Sequence, residues 1–384
     1  MKKAILPILS ISLALFTSTS AKAATSLLSD SLLVYRIGTG TGSLVNTGNS
    51  AFLDEYSRTG TLVQSIALGI VASGTASSEG LISRSGDGRY IVATGYASTG
   101  GSSIANSTSA SNARVIARID SAGNVDSTTR LTNYSSGNNP RSAWSADGSS
   151  FYAVGGTGGI VYATLGATSG TAVTTTGTGL LSNMRQINVF NNQLYVSASS
   201  GAFRLATTGG APSSSTGQTL TNLSGWSTSA GSPYAFFLAD LSSSVDGLDT
   251  AYVADDSTSL GATSGLLKYS LVSGTWTLTG QIGTGADAYR GLAAEQLADG
   301  SINLFATRKG GTAAAGGGEL VRITDTAGYN VAFSSTAPTL LATAAANTAF
   351  RGVSFSTVPE PSSAALLGFG TLALLALRRL NRKS

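Results

Sequence analysis

Neither cysteine nor histidine occurs anywhere in this chain. Without cysteine no disulfide can staple the fold, so its stability has to come from a buried core. Without either residue, a Ser-His-Asp relay, thiol chemistry and a His/Cys zinc site are all excluded. Carboxylates, tyrosine, lysine and serine remain as reactive groups. Charged residues make up 11% of the chain, where about a quarter is usual, and there are only 7 prolines and 2 methionines. Glycine is abundant instead, with 48 residues, and Ser and Thr fill much of the remainder. Such a surface carries little charge.

What charge exists is unevenly placed. Three of the 23 basic residues lie within residues 1–23 and four follow Leu377, leaving 16; of 19 acids only Glu360 lies in the tail, leaving 18. The central body is therefore near −2, and its composition offers no basic stripe for a nucleic acid. Nucleic acid is not expected as a partner.

The two ends read as addresses. Lys2 and Lys3 precede an apolar stretch over 4–16, and Ala21 and Ala23 form a small-x-small pattern before Ala24. This is the layout of a cleaved export signal, with Sec-type export machinery and signal peptidase as partners. An uncleaved anchor is disfavoured because the apolar stretch is short and a cleavage pattern follows directly. At the other end Val358, Pro359, Glu360 and Pro361 form an extended, donor-poor hinge. An uncharged run follows over 364–377, then Arg378 and Arg379. As a helix, that run reaches about 21 Å, short of the roughly 30 Å hydrocarbon core. Flanking serines and snorkelling arginines make a span feasible, with the basic end cytoplasmic.

Motif, apolar run and basic end together resemble the PEP-CTERM signal of Gram-negative bacteria. The resemblance implies recognition by the membrane protease exosortase, transient anchoring by a C-terminal hydrophobic helix, and delivery to the cell surface or extracellular matrix. The expected domains are a signal peptide (1–23), a body (24–357) and a sorting signal (358–384).

The body is expected to be all-β. Short segments rich in Val, Ile, Tyr, Phe and Thr alternate with Gly, Ser, Asn and Asp clusters. The segments recur in sets. An opening strand carries an arginine at 80–84, 140–144, 184–189, 289–293 and 350–355, and a sixth opener lies at 233–238. After the openers come turns such as Asp87-Gly88, Asp147-Gly148, Asn191-Asn192 and Asp299-Gly300, which suit positive φ. Second, third and fourth strands follow, with 275–282 and 330–333 as fourth strands and 340–349 as a helical turn or two. Four antiparallel strands every 45 to 60 residues or so is the pattern of a β-propeller, here without WD or Kelch signature. An opener at 350–355 without followers and three N-terminal strands within 31–66 would combine into one blade and close the ring. Six blades are expected; seven is the alternative, since 97–112 and 211–231 are long enough to hide strands. A β-sandwich pair or a parallel β-helix is the remaining competitor.

No cofactor or metal site is expected. Asp54, Glu55, Asp255, Asp256 and Glu295 are the carboxylates that a polysaccharide hydrolase or lyase would need, and Asp255 with Asp256 offers too few oxygens for calcium. The opening-strand arginines Arg84, Arg141, Arg185, Arg290 and Arg351 would either bond neighbouring blades or face the channel and bind an anionic polysaccharide. Trp144, Trp226, Trp276 and Tyr289 would stack on sugars or fill the core. The expectation is a non-catalytic binding or structural protein of the extracellular matrix, with a polysaccharide-cleaving enzyme and a protein-interaction scaffold as alternatives.

Overall fold

The computed structural model describes residues 26–174, 182–259, 264–310 and 317–358. Strands pair antiparallel throughout, in four four-stranded sheets and one eight-stranded sheet. The eight-stranded sheet is two groups of four joined by a single pair, Val71 opposite Tyr96. In its first group the C-terminal strand Ala349–Phe355 pairs with Ser31–Ile37, placing Val353 opposite Val34, and Asn49–Ser57 and Leu62–Ala72 follow. The arrangement is propeller-like.

Burial is greatest in the inner strands of each group and least in the outermost. Second strands such as Tyr90–Tyr96, Ser150–Gly155 and Thr250–Asp255 are buried almost throughout, which is why they read as continuous apolar runs. The outer strand Thr275–Ile282 is largely exposed. Buried clusters are shared between successive groups. Ile91 and Val115 pack with Leu53 and Leu68, Ala143 and Phe151 with Val92 and Ile116, and Phe236 and Val253 with Tyr195 and Leu205. A further cluster joins the ends, packing Phe305 and Leu320 against Leu32, Val34 and Phe350.

Serine and threonine complete the seams between groups. Ser83 Oγ donates to the Ala143 carbonyl at 2.6 Å, Ser197 Oγ to Tyr234 O at 2.6 Å, and Thr307 Oγ1 to Arg351 O. Small hydroxyls satisfy backbone acceptors there without the volume or charge of larger polar groups. The turns behave as their composition requires. Gly88 takes φ +78°, while Asn191 and Asn192 are left-handed at +47° and +59°.

Several boundaries depart from the sequence reading. Residues 330–333 form no strand: Phe333 is a loop residue packed against Tyr252, and the outer strand is Thr339–Thr343. That strand also replaces the helical turns expected over 340–349. The opener expected at 289–293 begins at Leu292, because Gly291 N donates to the Thr307 side chain and Ala288 turns left-handed. The opener at 80–84 is reduced to Ser83–Arg84. Among the described residues, 97–112 holds a 3-10 turn at Ile104–Asn106, and 211–231 holds only Thr221–Asn222, the outer strand of an existing sheet. Neither adds a further sheet.

Candidate functional site

Opening strands run the same way. Leu81 N donates to Arg141 O, Ser83 Oγ to Ala143 O and Gly86 N to Ser145 O, a parallel register. Ala235 N bonds Arg290 O and Gly352 N bonds Gly80 O in the same sense. Their first residues therefore gather at one end of the body and their last residues at the other.

Four of the five arginines lie at the starting end. Arg141 donates to Asn139 Oδ1 at 2.9 Å and to the Met184 carbonyl at 3.0 Å, reaching the next group. Arg185 reaches Ser199 Oγ and, at 2.7 Å, the hydroxyl of Tyr234 in the following group. Arg290 bonds back to Asp256 at 2.8 Å. Arg351 is 1% exposed. These contacts bind neighbouring groups together. Burial, with Arg185 adding repulsion, lowers the Arg141 pKa to about 9; burial, then Arg290, lowers that of Arg351 to about 10. For Arg290 burial also works against the charge, but Tyr234 and Asp256 outweigh it and the pKa rises. Beneath this layer Glu79 accepts from Ser73 N at 2.8 Å and Tyr96 Oη at 2.7 Å. Burial pushes its carboxyl up to about 7, against the pull of those bonds and of Arg351 and Arg141.

Arg84 belongs to the other end. It stands three residues beyond Leu81, the residue whose N–H bonds Arg141 O, so its side chain emerges with the strand ends. There, residues from all six opening segments line a cavity of about 230 Å³. Aromatic walls come from Trp144, Phe190, Phe237 and Phe355, and polar groups from Arg84, Gln186 and Asn188. Gln186 is 3% exposed, and its Oε1 has no hydrogen-bond partner among the described residues. Arg84 donates to the Ser356 carbonyl at 3.2 Å and makes no ion pair among the described residues. Desolvation, then the Arg58 guanidinium, lowers its pKa, with Glu295 opposing. A cation whose charge is disfavoured in this way gains from a bound anion. Gln186, Asn188 and Phe190 were not singled out from the sequence; only their meeting with Arg84 and Trp144 gives them meaning.

The other candidates disperse. Asp54 pairs with Arg36 at 2.5 Å, Glu55 accepts from Ser31 and Gln64, and Glu295 pairs with Arg58 at 2.6 Å. Asp255 ends its strand and caps the Ser232 and Ser257 amides; burial outweighs those bonds and raises its pKa to about 6. Among the described residues no group of three potential metal ligands occurs. Trp226, stacked on Tyr269 at 4.0 Å, Trp276 and Tyr289 are core residues. Only Trp144 reaches the cavity.

Val358 is the last described residue. Ala21, Ala23, Ala24, Pro359, Glu360, Pro361, the apolar run at 364–377, Arg378 and Arg379 lie outside the described residues. Among the described residues no helix is long and apolar enough to cross a membrane.

Comparison with known proteins identifies one family segment: residues 357–383 match the PEP-CTERM protein-sorting motif. No curated protein matches the chain. Among solved structures, a nidogen/laminin complex aligns with TM-score 0.49 and 12% identity over 84% of this chain and 97% of that one. The extracellular domain of the putative one component system BT4673 from B. thetaiotaomicron aligns with TM-score 0.35 and 13% identity, over 78% of this chain and 33% of that one. The architecture rests on the strand pairing above, and the tail marks the chain as an exosortase-sorted protein that is exported through a membrane-anchored stage.

Proposed function

We propose that this is an extracellular binding protein without catalytic activity, built as a closed six-bladed propeller, whose ligand site is the cavity at the finishing end and whose ligand is an acidic polysaccharide. Ring closure is supported by the contacts of the opening strands: Ser83–Arg84 with Pro140–Trp144, then Met184–Phe190, Pro233–Ala239, Leu292–Gln296, Ala349–Phe355, and back to Ser83–Arg84. The binding reading rests on one observation: a guanidinium without an ion pair, an unmet buried amide oxygen and aromatic walls share one mouth. Guanidinium suits a uronate carboxylate, the amide suits a sugar hydroxyl, and aromatic faces suit the apolar side of a sugar ring. The non-catalytic reading is supported by the partners that already hold these carboxylates: Arg36 for Asp54, Arg58 for Glu295, and the Ser232 and Ser257 amides for Asp255.

The test is calorimetric titration of the mature protein with polygalacturonate oligosaccharides and with neutral glucan. Binding of the acidic polymer alone, weakened at least about tenfold by Arg84→Ala, is expected; equal affinity for both polymers would sink the proposal. The intact mass of protein from the medium, compared with that from an exosortase-deficient strain, tests the processing. A mature form from Ala24 to a cut between 359 and 362, seen only when exosortase is present, is expected.

A further inference from the structure

The sorting motif begins inside the folded body. Residues 357 and 358 belong to the matched segment, yet Ser356 and Thr357 are 1% and 0% exposed. Ser356 N donates to Ser31 O at 3.0 Å, and its carbonyl accepts from Arg84. Val358 N donates to Gly88 O at 2.8 Å, and the Val358 side chain lies over the Asp87-Gly88 turn. The chain thus leaves the body from a fixed point beside the finishing-end cavity, with no slack before Pro359.

Between Val358 and the start of the apolar run at Ala364 there are six backbone steps. Fully extended they reach about 21 Å. The opening strands are themselves roughly 20 Å long, so the starting end stands that much farther from the exit point. We propose that, before cleavage, the pinned segment 356–358 holds the body with its finishing end facing the bilayer surface and its arginine-rich starting end facing away. The tether imposes this orientation. Lipid attraction is not needed for it: the turns on that face carry Asp87, Asp147 and Asp299 beside Arg84 and Arg89, so these groups present no net cationic patch to an anionic headgroup layer. The inference rests on the tail being membrane-embedded and is independent of what the cavity binds.

The absence of cysteine allows a direct test. Ala122 and Ser102 are exposed and sit in loops at the two ends of one sheet: Ala122 in the turn after Arg114–Asp120, Ser102 in the connection after Tyr90–Tyr96. The uncut full chain is reconstituted in phosphatidylethanolamine/phosphatidylglycerol vesicles bearing a headgroup quencher, as Ala122→Cys or Ser102→Cys carrying a thiol-linked fluorophore. Quenching several-fold stronger at position 122 is expected, and it should be insensitive to salt. A Gly/Ser insert of about twelve residues between Val358 and Pro359, long enough to let the body tumble, should bring the two positions to equal quenching. Equal quenching without the insert, or stronger quenching at 102, overturns the proposal. Protein that fails to float with the vesicles overturns it by a different route, by removing the membrane-embedded tail on which it rests.

Discussion

The two ends of the opening strands solve opposite problems with similar residues. At the starting end Arg141, Arg185 and Arg290 are tied to side chains and carbonyls of neighbouring groups, and their charge serves cohesion. At the finishing end Arg84 stands at the rim without an ion pair among the described residues, beside a buried amide oxygen with nothing to bond. Polar groups bonded across to neighbouring groups hold structure together, whereas an unmet one at a cavity is tolerated where a ligand completes it. Residue type alone does not separate the two roles. Position along the strand does.

The comparison breaks first, if it is wrong, at Glu79. Its carboxyl titrates near 4.5 when unfolded and about 7 when folded. Between those values the folded protein holds the extra proton, so this contribution to stability is greatest below pH 4.5 and declines as pH rises towards 7. The decline is on the order of 3 kcal/mol. Urea unfolding of the native protein and Glu79→Gln at pH 4.5 and 8 should show the native protein losing ground relative to the variant; parallel curves would remove the buried carboxyl from the starting-end layer. Next in size is Arg290→Ala, which leaves Asp256 without this cation. The pair is mostly but not fully buried, so a loss of about 2 kcal/mol is expected, read as a lower denaturation midpoint with polysaccharide affinity unchanged.

At the finishing end the signs invert. Gln186→Leu removes an unmet buried acceptor and should leave stability unchanged or raise it by up to about 1 kcal/mol, while ligand binding is lost. A destabilised variant that still binds would place Gln186 in the structural class. The smallest stability effect belongs to Arg84→Ala, within about 0.5 kcal/mol by thermal unfolding, despite its large expected effect on binding.

Legibility in the sequence followed burial. Second strands such as Tyr90–Tyr96 and Ser150–Gly155, enclosed on both faces, need continuous apolar residues, and the apolar runs at 90–94 and 151–154 that the sequence marks as second strands fall within them. Outer strands were legible unevenly: the expected 275–282 is found as Thr275–Ile282, whereas Thr339–Thr343 escaped because little constrains it. Thr339–Thr343 is half-exposed and rich in Leu, Ala and Thr, a composition equally suited to a helix. Residues 330–333 misled because Phe333 is buried as a loop anchor, and a buried aromatic looks the same to a pattern reading whether or not its backbone is extended. In the site, Arg84 and Trp144 were singled out but not linked. Arg84 falls among the opening-strand arginines when its strand is read from residue 80; the inter-sheet bonds show it three residues out of step with them. Gln186 carried no signal of its own, since one glutamine in a strand is ordinary until its surroundings are dry.

The sequence alone determined the all-β, four-strand repeat, the sorting tail and the exclusion of histidine and cysteine chemistry. Each of these follows from local composition and order along the chain. Tertiary structure decided which arginines bind group to group and which one faces a cavity, and that the sorting motif starts from a point fixed on the body. Those facts depend on register between strands distant in sequence, where a shift of three residues carries a side chain from one end to the other of opening strands that have at most 7 residues.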